Sequence, residues 1–194
     1  MTCIVGLVDK PTKNVYIGAD SAGVDDFLNI APRIDSKVFF RTTQLLIGCS
    51  HSFRMTQIVR YALDLPRTPP NTIYSHQWMV REFIPWLRKA LADGGWIHKE
   101  NERESGGTLL VGLHGHLFTI HTDFQVAESA NGFDAIGCGG QYALGSLVTT
   151  EASAMDPVDR VNEALSVAIR LSAGVCHPIV VKKVPEVQTT QTDL

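Results

Sequence analysis

The chain lacks most of what would place it in a membrane, a disulfide scaffold or a nucleic-acid complex. No uninterrupted apolar stretch among its 194 residues reaches the ~20 that span a bilayer. No basic segment precedes a hydrophobic one at the N-terminus, so no secretory signal is read there. Cysteine is scarce: Cys3, Cys49, Cys138 and Cys176 form no CxxC pair. That pattern argues against a zinc site or disulfide framework and for buried free thiols in a reducing, cytoplasmic compartment. Charged residues make up 19% with a net charge of -3, so nothing favours nucleic acid as a partner. Internal repeats and low-complexity segments are missing too.

What remains is 44% hydrophobic, enough for one globular domain with a substantial core. That domain is expected over 1–184, followed by a polar, frayed tail over 185–194. Thr2–Val8 and Val15–Ala19 read as a hairpin around a turn of Asp9–Asn14, with a loop then running to Ser36. Lys37–Arg41 and Gln44–Gly48 read as a second strand pair. From Ser52 the period changes, and Met55, Ile58, Val59, Ala62 and Leu63 fall on one helical face closed by Pro66, Pro69 and Pro70. A second helix is expected near Ser75–Ala92, with Val80, Phe83, Ile84, Leu87 and Leu91 as its stripe. Pro85 should kink it or delay its start.

His98–Ser105 is hydrophilic and reads as a solvated loop. Strands follow at Thr108–Leu113, His116–His121, Phe124–Ala127 and Phe133–Ile136. A third helix is expected over Gly139–Thr150. Asp156-Pro157 starts a fourth, carrying Val158, Val161, Leu165, Ala168 and Ser172 on one face. Pro178–Val184 is the last strand. Hairpin-linked strands make antiparallel sheets, and paired helices must bury their stripes on sheet faces. The order therefore predicts an α+β four-layer αββα sandwich, with two antiparallel sheets flanked by helix pairs.

Few residues invite chemistry. His114, His116 and His121 cluster at one hairpin without a carboxylate or cysteine to complete a metal set, so they read as surface histidines. Gly137-Cys138-Gly139-Gly140 lacks the third glycine of GxGxxG, and the chain has no GK[ST], so a phosphate loop is a poor reading. No cofactor is called for. Thr2 is more informative. A small residue behind Met1 favours removal of the methionine, which would leave a threonine with a hydroxyl and a free α-amine. An α-amine titrates near ~7.7–8.0 and can take the hydroxyl proton, so one residue supplies nucleophile and base. By itself Thr2 reads better as the start of an edge strand, and only the rest of the chain overturns that reading.

Five segments in order resemble the proteasome β-type, HslV-like family of N-terminal nucleophile (Ntn) hydrolases. They are Thr2-Cys3-Ile4-Val5-Gly6, Tyr16-Ile17-Gly18-Ala19-Asp20-Ser21, Ser36-Lys37-Val38-Phe39, Leu46-Ile47-Gly48 and Ala135-Ile136-Gly137-Cys138-Gly139-Gly140-Gln141-Tyr142-Ala143. The resemblance covers nearly the whole chain, tail excluded, and implies a threonine-type peptidase. In it Thr2 is the nucleophile, Lys37 lowers the cost of an alkoxide-like oxygen, and Asp20 is the counter-charge that a buried lysine requires. Gly48 matches the glycine whose N–H stabilises the oxyanion. The family also implies a homo-oligomeric ring, an ATP-dependent unfoldase as partner and unfolded protein or peptide as substrate.

Two departures stand out. Cys138 occupies the place of a serine beside the threonine amine, and Arg170-Leu171-Ser172-Ala173-Gly174-Val175 lacks the supporting acid, leaving Ser172 as a partial substitute. A catalytically silent ring or scaffold subunit therefore stays open, as does a small-molecule amidase on the same fold.

Overall fold

The computed structural model describes residues 1–65 and 74–185. The closing prolines Pro66, Pro69 and Pro70 and nearly all of the polar tail lie outside them.

Two sheets stack face to face, and every recorded strand pairing is antiparallel. The first has the order β12-β1-β2-β13, from β1 (Ile4–Val8), β2 (Val15–Ala19), β12 (Phe133–Ile136) and β13 (Val180–Val184). The second has the order β11-β10-β9-β6-β5, from β5 (Val38–Thr42), β6 (Leu45–Ser50), β9 (Thr108–Leu113), β10 (His116–Ile120) and β11 (Val126–Glu128). The period of two explains why β1 and β6 read as continuous apolar runs without alternation, since both faces of each are covered. Val5 and Leu7 face the helices α4 (Gly140–Thr149) and α5 (Pro157–Leu171), while Ile4 enters the layer between the sheets. In β6, Leu45, Ile47 and Cys49 face α1 (Phe53–Tyr61) and α3 (Ile84–Asp93), and Leu46 faces the other sheet. Three apolar clusters thus separate four layers, as the sequence implies.

Four local expectations are corrected. The second helix does not start late at Pro85. Ser75 caps α2 (His76–Trp78), a π-helical turn over Met79–Phe83 follows, and α3 continues from Ile84. The widened turn lies just ahead of the proline, where its ring would crowd the preceding carbonyls and its missing N–H would leave one unpaired. It also shifts the stripe by one residue, so Met79 is buried and Val80 is exposed.

The hydrophilic connector is a short hairpin, β7 (His98–Glu100) with β8 (Arg103–Ser105), and its polar faces are those of a two-stranded ribbon in solvent. The loop before Ser36 holds a second hairpin, β3 (Ala22–Val24) with β4 (Ile30–Pro32). Phe124 precedes its strand, in a left-handed turn with φ of 66°. The signal at Asp156-Pro157 starts α5 as read, with the Asp156 carboxylate accepting from the Val158 N–H at 2.8 Å. No helix among the described residues is long and apolar enough to cross a membrane.

Candidate active site

Strand β1 begins at Ile4, so Thr2 and Cys3 lead into it from the edge of the two-sheet stack. Thr2 is buried, held by the loop between β12 and α4. Its carbonyl accepts from the Gly139 N–H at 3.3 Å and from the Cys138 thiol at 3.4 Å. Its own N–H donates to Cys138 Sγ at 3.2 Å. This close wrapping explains Gly137. Its φ is +92°, and a Cβ there would collide with the Thr2 carbonyl group.

Gly137→Ala is expected to cost at least about 2 kcal/mol of unfolding free energy, from left-handed strain plus that collision. Gly145→Ala is the control. Gly145 sits inside α4 with open space around it, so alanine there should add about 0.5–1 kcal/mol of stability. Urea denaturation of both variants reads the difference.

Lys37 and Asp20 meet beside Cys3, the residue after Thr2. Lys37 Nζ lies 2.8 Å from Asp20 Oδ1, with side chains 3% and 0% exposed. Asp20 has further donors: the Cys3 N–H at 2.9 Å on Oδ1, and the Ala22 and Cys176 N–H groups at 2.8 and 3.4 Å on Oδ2. A carboxylate with one cation and three amides is a well-solvated buried anion, and it fixes the lysine head. Burial pushes the Lys37 ammonium below its ordinary value of 10.5, and Asp20 offsets only part of that. The Cys3 thiol is pushed up to about 12, by burial first and by the Asp20 charge second.

Thr2 and Lys37 share the wall of a depression of about 190 Å³, together with Cys49, His51, Ser52, Phe53 and others. Gly48 does not line it. The Cys49 N–H donates to the Lys37 carbonyl at 2.9 Å. The alternation of antiparallel pairs then turns the Gly48 amide the other way, toward Leu110 of β9, and a Cβ on Gly48 would strike Ile4 in the inter-sheet layer. Three residues past Gly48, His51 has left the sheet with φ of 109°. Among the described residues its N–H has no acceptor. Sequence reasoning missed this amide. The only signal was that a strand ending at Ser50 outlasts one starting at Val38 at this edge.

Of the four cysteines, Cys3 and Cys49 are buried, but Cys138 is exposed and Cys176 is partly so. The reading of all four as buried is corrected, because the Gly137 turn lifts Cys138 out of the core. Ser172, at the end of α5, donates to Cys138 Sγ at 3.5 Å, so hydroxyl, thiol and the Thr2 nitrogen form a line. Val175, where an acid was sought, is buried in the cluster under α4 and α5. Met1 packs on Gly174, and its carbonyl accepts from the Thr2 hydroxyl. The histidines are scattered in role: His114 stacks on Tyr74 at 4.3 Å, and His116 Nδ1 lies 2.6 Å from Glu128.

No family model matches the chain, and no curated protein matches it. Solved structures do. BPH of Thiobacillus denitrificans, determined in complex with epoxomicin, superposes with a TM-score of 0.80 at 16% identity, over 96% of this chain and 100% of that one. Eukaryotic HslV from Trypanosoma brucei gives 0.68 at 16% identity, over 95% and 100%. Anbu, an ancestral β-subunit, from Yersinia bercovieri gives 0.65 at 17% identity, over 95% and 82%. At these identities the likeness shows the fold, which is that of the proteasome-like Ntn hydrolases.

Proposed function

We propose that this chain is a threonine-type peptidase of the proteasome and HslV kind. The observation that carries this is the buried Lys37–Asp20 pair opening onto the same cavity as Thr2, with Cys138 Sγ at 3.2 Å from the Thr2 nitrogen. A lysine this deep is costly as a structural device alone, whereas beside a nucleophilic hydroxyl it stabilises developing negative charge.

The mechanism starts from removal of Met1. The Thr2 hydroxyl attacks the scissile carbonyl and gives its proton to the Thr2 α-amine, while Lys37, held by Asp20, stabilises the oxygen. The His51 N–H, rather than that of Gly48, takes the oxyanion. Cys138 and Ser172 hold the amine in place and pass its proton to the leaving nitrogen. Water then releases the acyl group from Thr2. Substrates are peptides or unfolded protein, the active form is a homo-oligomeric ring, and an ATP-dependent unfoldase feeds it.

The pH–rate profile tests this assignment. The amine must be neutral to accept the proton, so kcat/KM should rise with pH through the α-amine range, near ~7.7–8.0 for an unperturbed group. Lys37 must stay charged and its ammonium is depressed by burial, so activity should fall again at a pH below 10.5. Stopped assays on a fluorogenic peptide from pH 5 to pH 11 read both limbs. A flat profile across the amine range contradicts the mechanism.

A silent ring or scaffold subunit is the second reading. Val175 in place of the acid and Cys138 in place of the serine favour it.

A further inference from the structure

Where the family resemblance places a serine, this chain has Cys138, and oxidation tells the two apart: a peroxide leaves a hydroxyl alone and attacks a thiol. Cys138 is the exposed thiol of the four. Burial pushes the thiols of Cys3, Cys49 and Cys176 up, and the Asp20 charge adds to this at Cys3 and Cys176. Oxidation follows exposure and thiolate character, so an oxidant meets Cys138 first. The Lys37 ammonium is within electrostatic reach, which sets a cation near the anionic sulfur that attacks a peroxide. The Ser172 hydroxyl aims its proton at the same sulfur from 3.5 Å.

The neighbour on the other side sets this thiol apart. Cys138 Sγ lies 3.2 Å from the Thr2 nitrogen, within the ~3–3.5 Å of groups poised to react. The Thr2 carbonyl ties the two together, accepting from the thiol at 3.4 Å and from the Gly139 N–H at 3.3 Å. One residue on, Asp20 holds the Cys3 N–H at 2.9 Å. None of these anchors uses Met1, so removing the methionine frees the amine without releasing it from the sulfur.

Resting on the proposed peptidase reading, in which Met1 is removed, we infer that Cys138 is an oxidative modification site that switches the enzyme off by bonding to the Thr2 α-amine. The Cys138 sulfur attacks a hydroperoxide. An S–O bond forms, the O–O bond breaks, and sulfur loses two electrons to the peroxide, whose other oxygen leaves as water or an alcohol with the thiol proton. The neutral amine then attacks the sulfenic sulfur. An N–S bond forms and the S–O bond breaks, and the hydroxide leaves as water with a proton from the amine. The resulting sulfenamide ties up the nitrogen that accepts the Thr2 hydroxyl proton, so the nucleophile loses its base. A dithiol reverses the change: its first thiol attacks the sulfur and frees the amine, and its second releases Cys138 and leaves as a disulfide.

The test treats the assembled protein with hydrogen peroxide and follows it by peptide mapping and by cleavage of a fluorogenic peptide. Mapping should find the peptide that begins at Thr2 joined to the one that holds Cys138, about 2 Da lighter than the two together. Cleavage should fall at least about tenfold, and dithiothreitol should restore it. Cys176→Ser should respond as the parent does. Cys138→Ser, compared with its own untreated rate, should lose both the crosslink and the peroxide effect.

Undiminished cleavage, a disulfide between Cys138 and Cys176, or a sulfenic acid that persists beside a free Thr2 amine overturns the inference. Mapping does not depend on turnover, so the two readings fail separately. A chain that begins at Thr2 and forms the crosslink, but cleaves no peptide before treatment, removes the proposed function and leaves the modification site standing. A chain that keeps Met1 removes both.

Discussion

Thr2→Ala is expected to lower peptide cleavage by at least about 10⁴-fold, because the nucleophilic oxygen disappears while the rest of the site remains. Thr2 lies ahead of β1, and its main-chain bonds to Cys138 and Gly139 do not need the hydroxyl. The variant should therefore fold, assemble and melt within a few degrees of the parent. Alanine is small enough for Met1 to be removed, so the α-amine is retained as an internal control. Cleavage at more than about a tenth of the parent rate would remove threonine catalysis from the account.

The second large effect concerns the ion pair, and it divides by partner. Asp20→Ala strands the Lys37 ammonium at 3% exposure and leaves three N–H groups without their acceptor. A loss of about 3–5 kcal/mol in unfolding free energy is expected. Lys37→Met removes the cation but leaves Asp20 its three amides, so its stability loss should be the smaller. Its activity loss should still be about 10²–10³-fold, since the charge facing the reacting oxygen is gone. Denaturant melts and peptide assays on both variants read the split. A Lys37→Met protein with near-parent turnover would make the pair purely structural.

The layers were readable because burial leaves a mark on composition. Strands covered on both faces, such as Ile4–Val8 and Leu45–Ser50, appear as apolar runs, and α5 announces itself through Asp156-Pro157. Lys37 and Asp20 were readable only through their place in a five-segment order, since a lone lysine before Val38 looks like a surface residue. The parts that were not readable depend on offsets between segments. The freedom of the His51 amide follows from β6 running past the start of β5, a relation between two strands that neither reveals alone. Ser172 and Cys138 are 34 positions apart, so their contact follows from packing of α5 against the Gly137 turn. The π-turn at Met79–Phe83 moved the helical stripe by one residue, and periodicity reading assumes an unbroken 3.6.

Mass spectrometry of the chain from its natural source, before and after reaction with a peptide electrophile, tests the central claim most directly. The account predicts a chain beginning at Thr2 and a single adduct mapping to that residue. A chain that keeps Met1 throughout, or an adduct on Cys138 with Thr2 untouched, would contradict it.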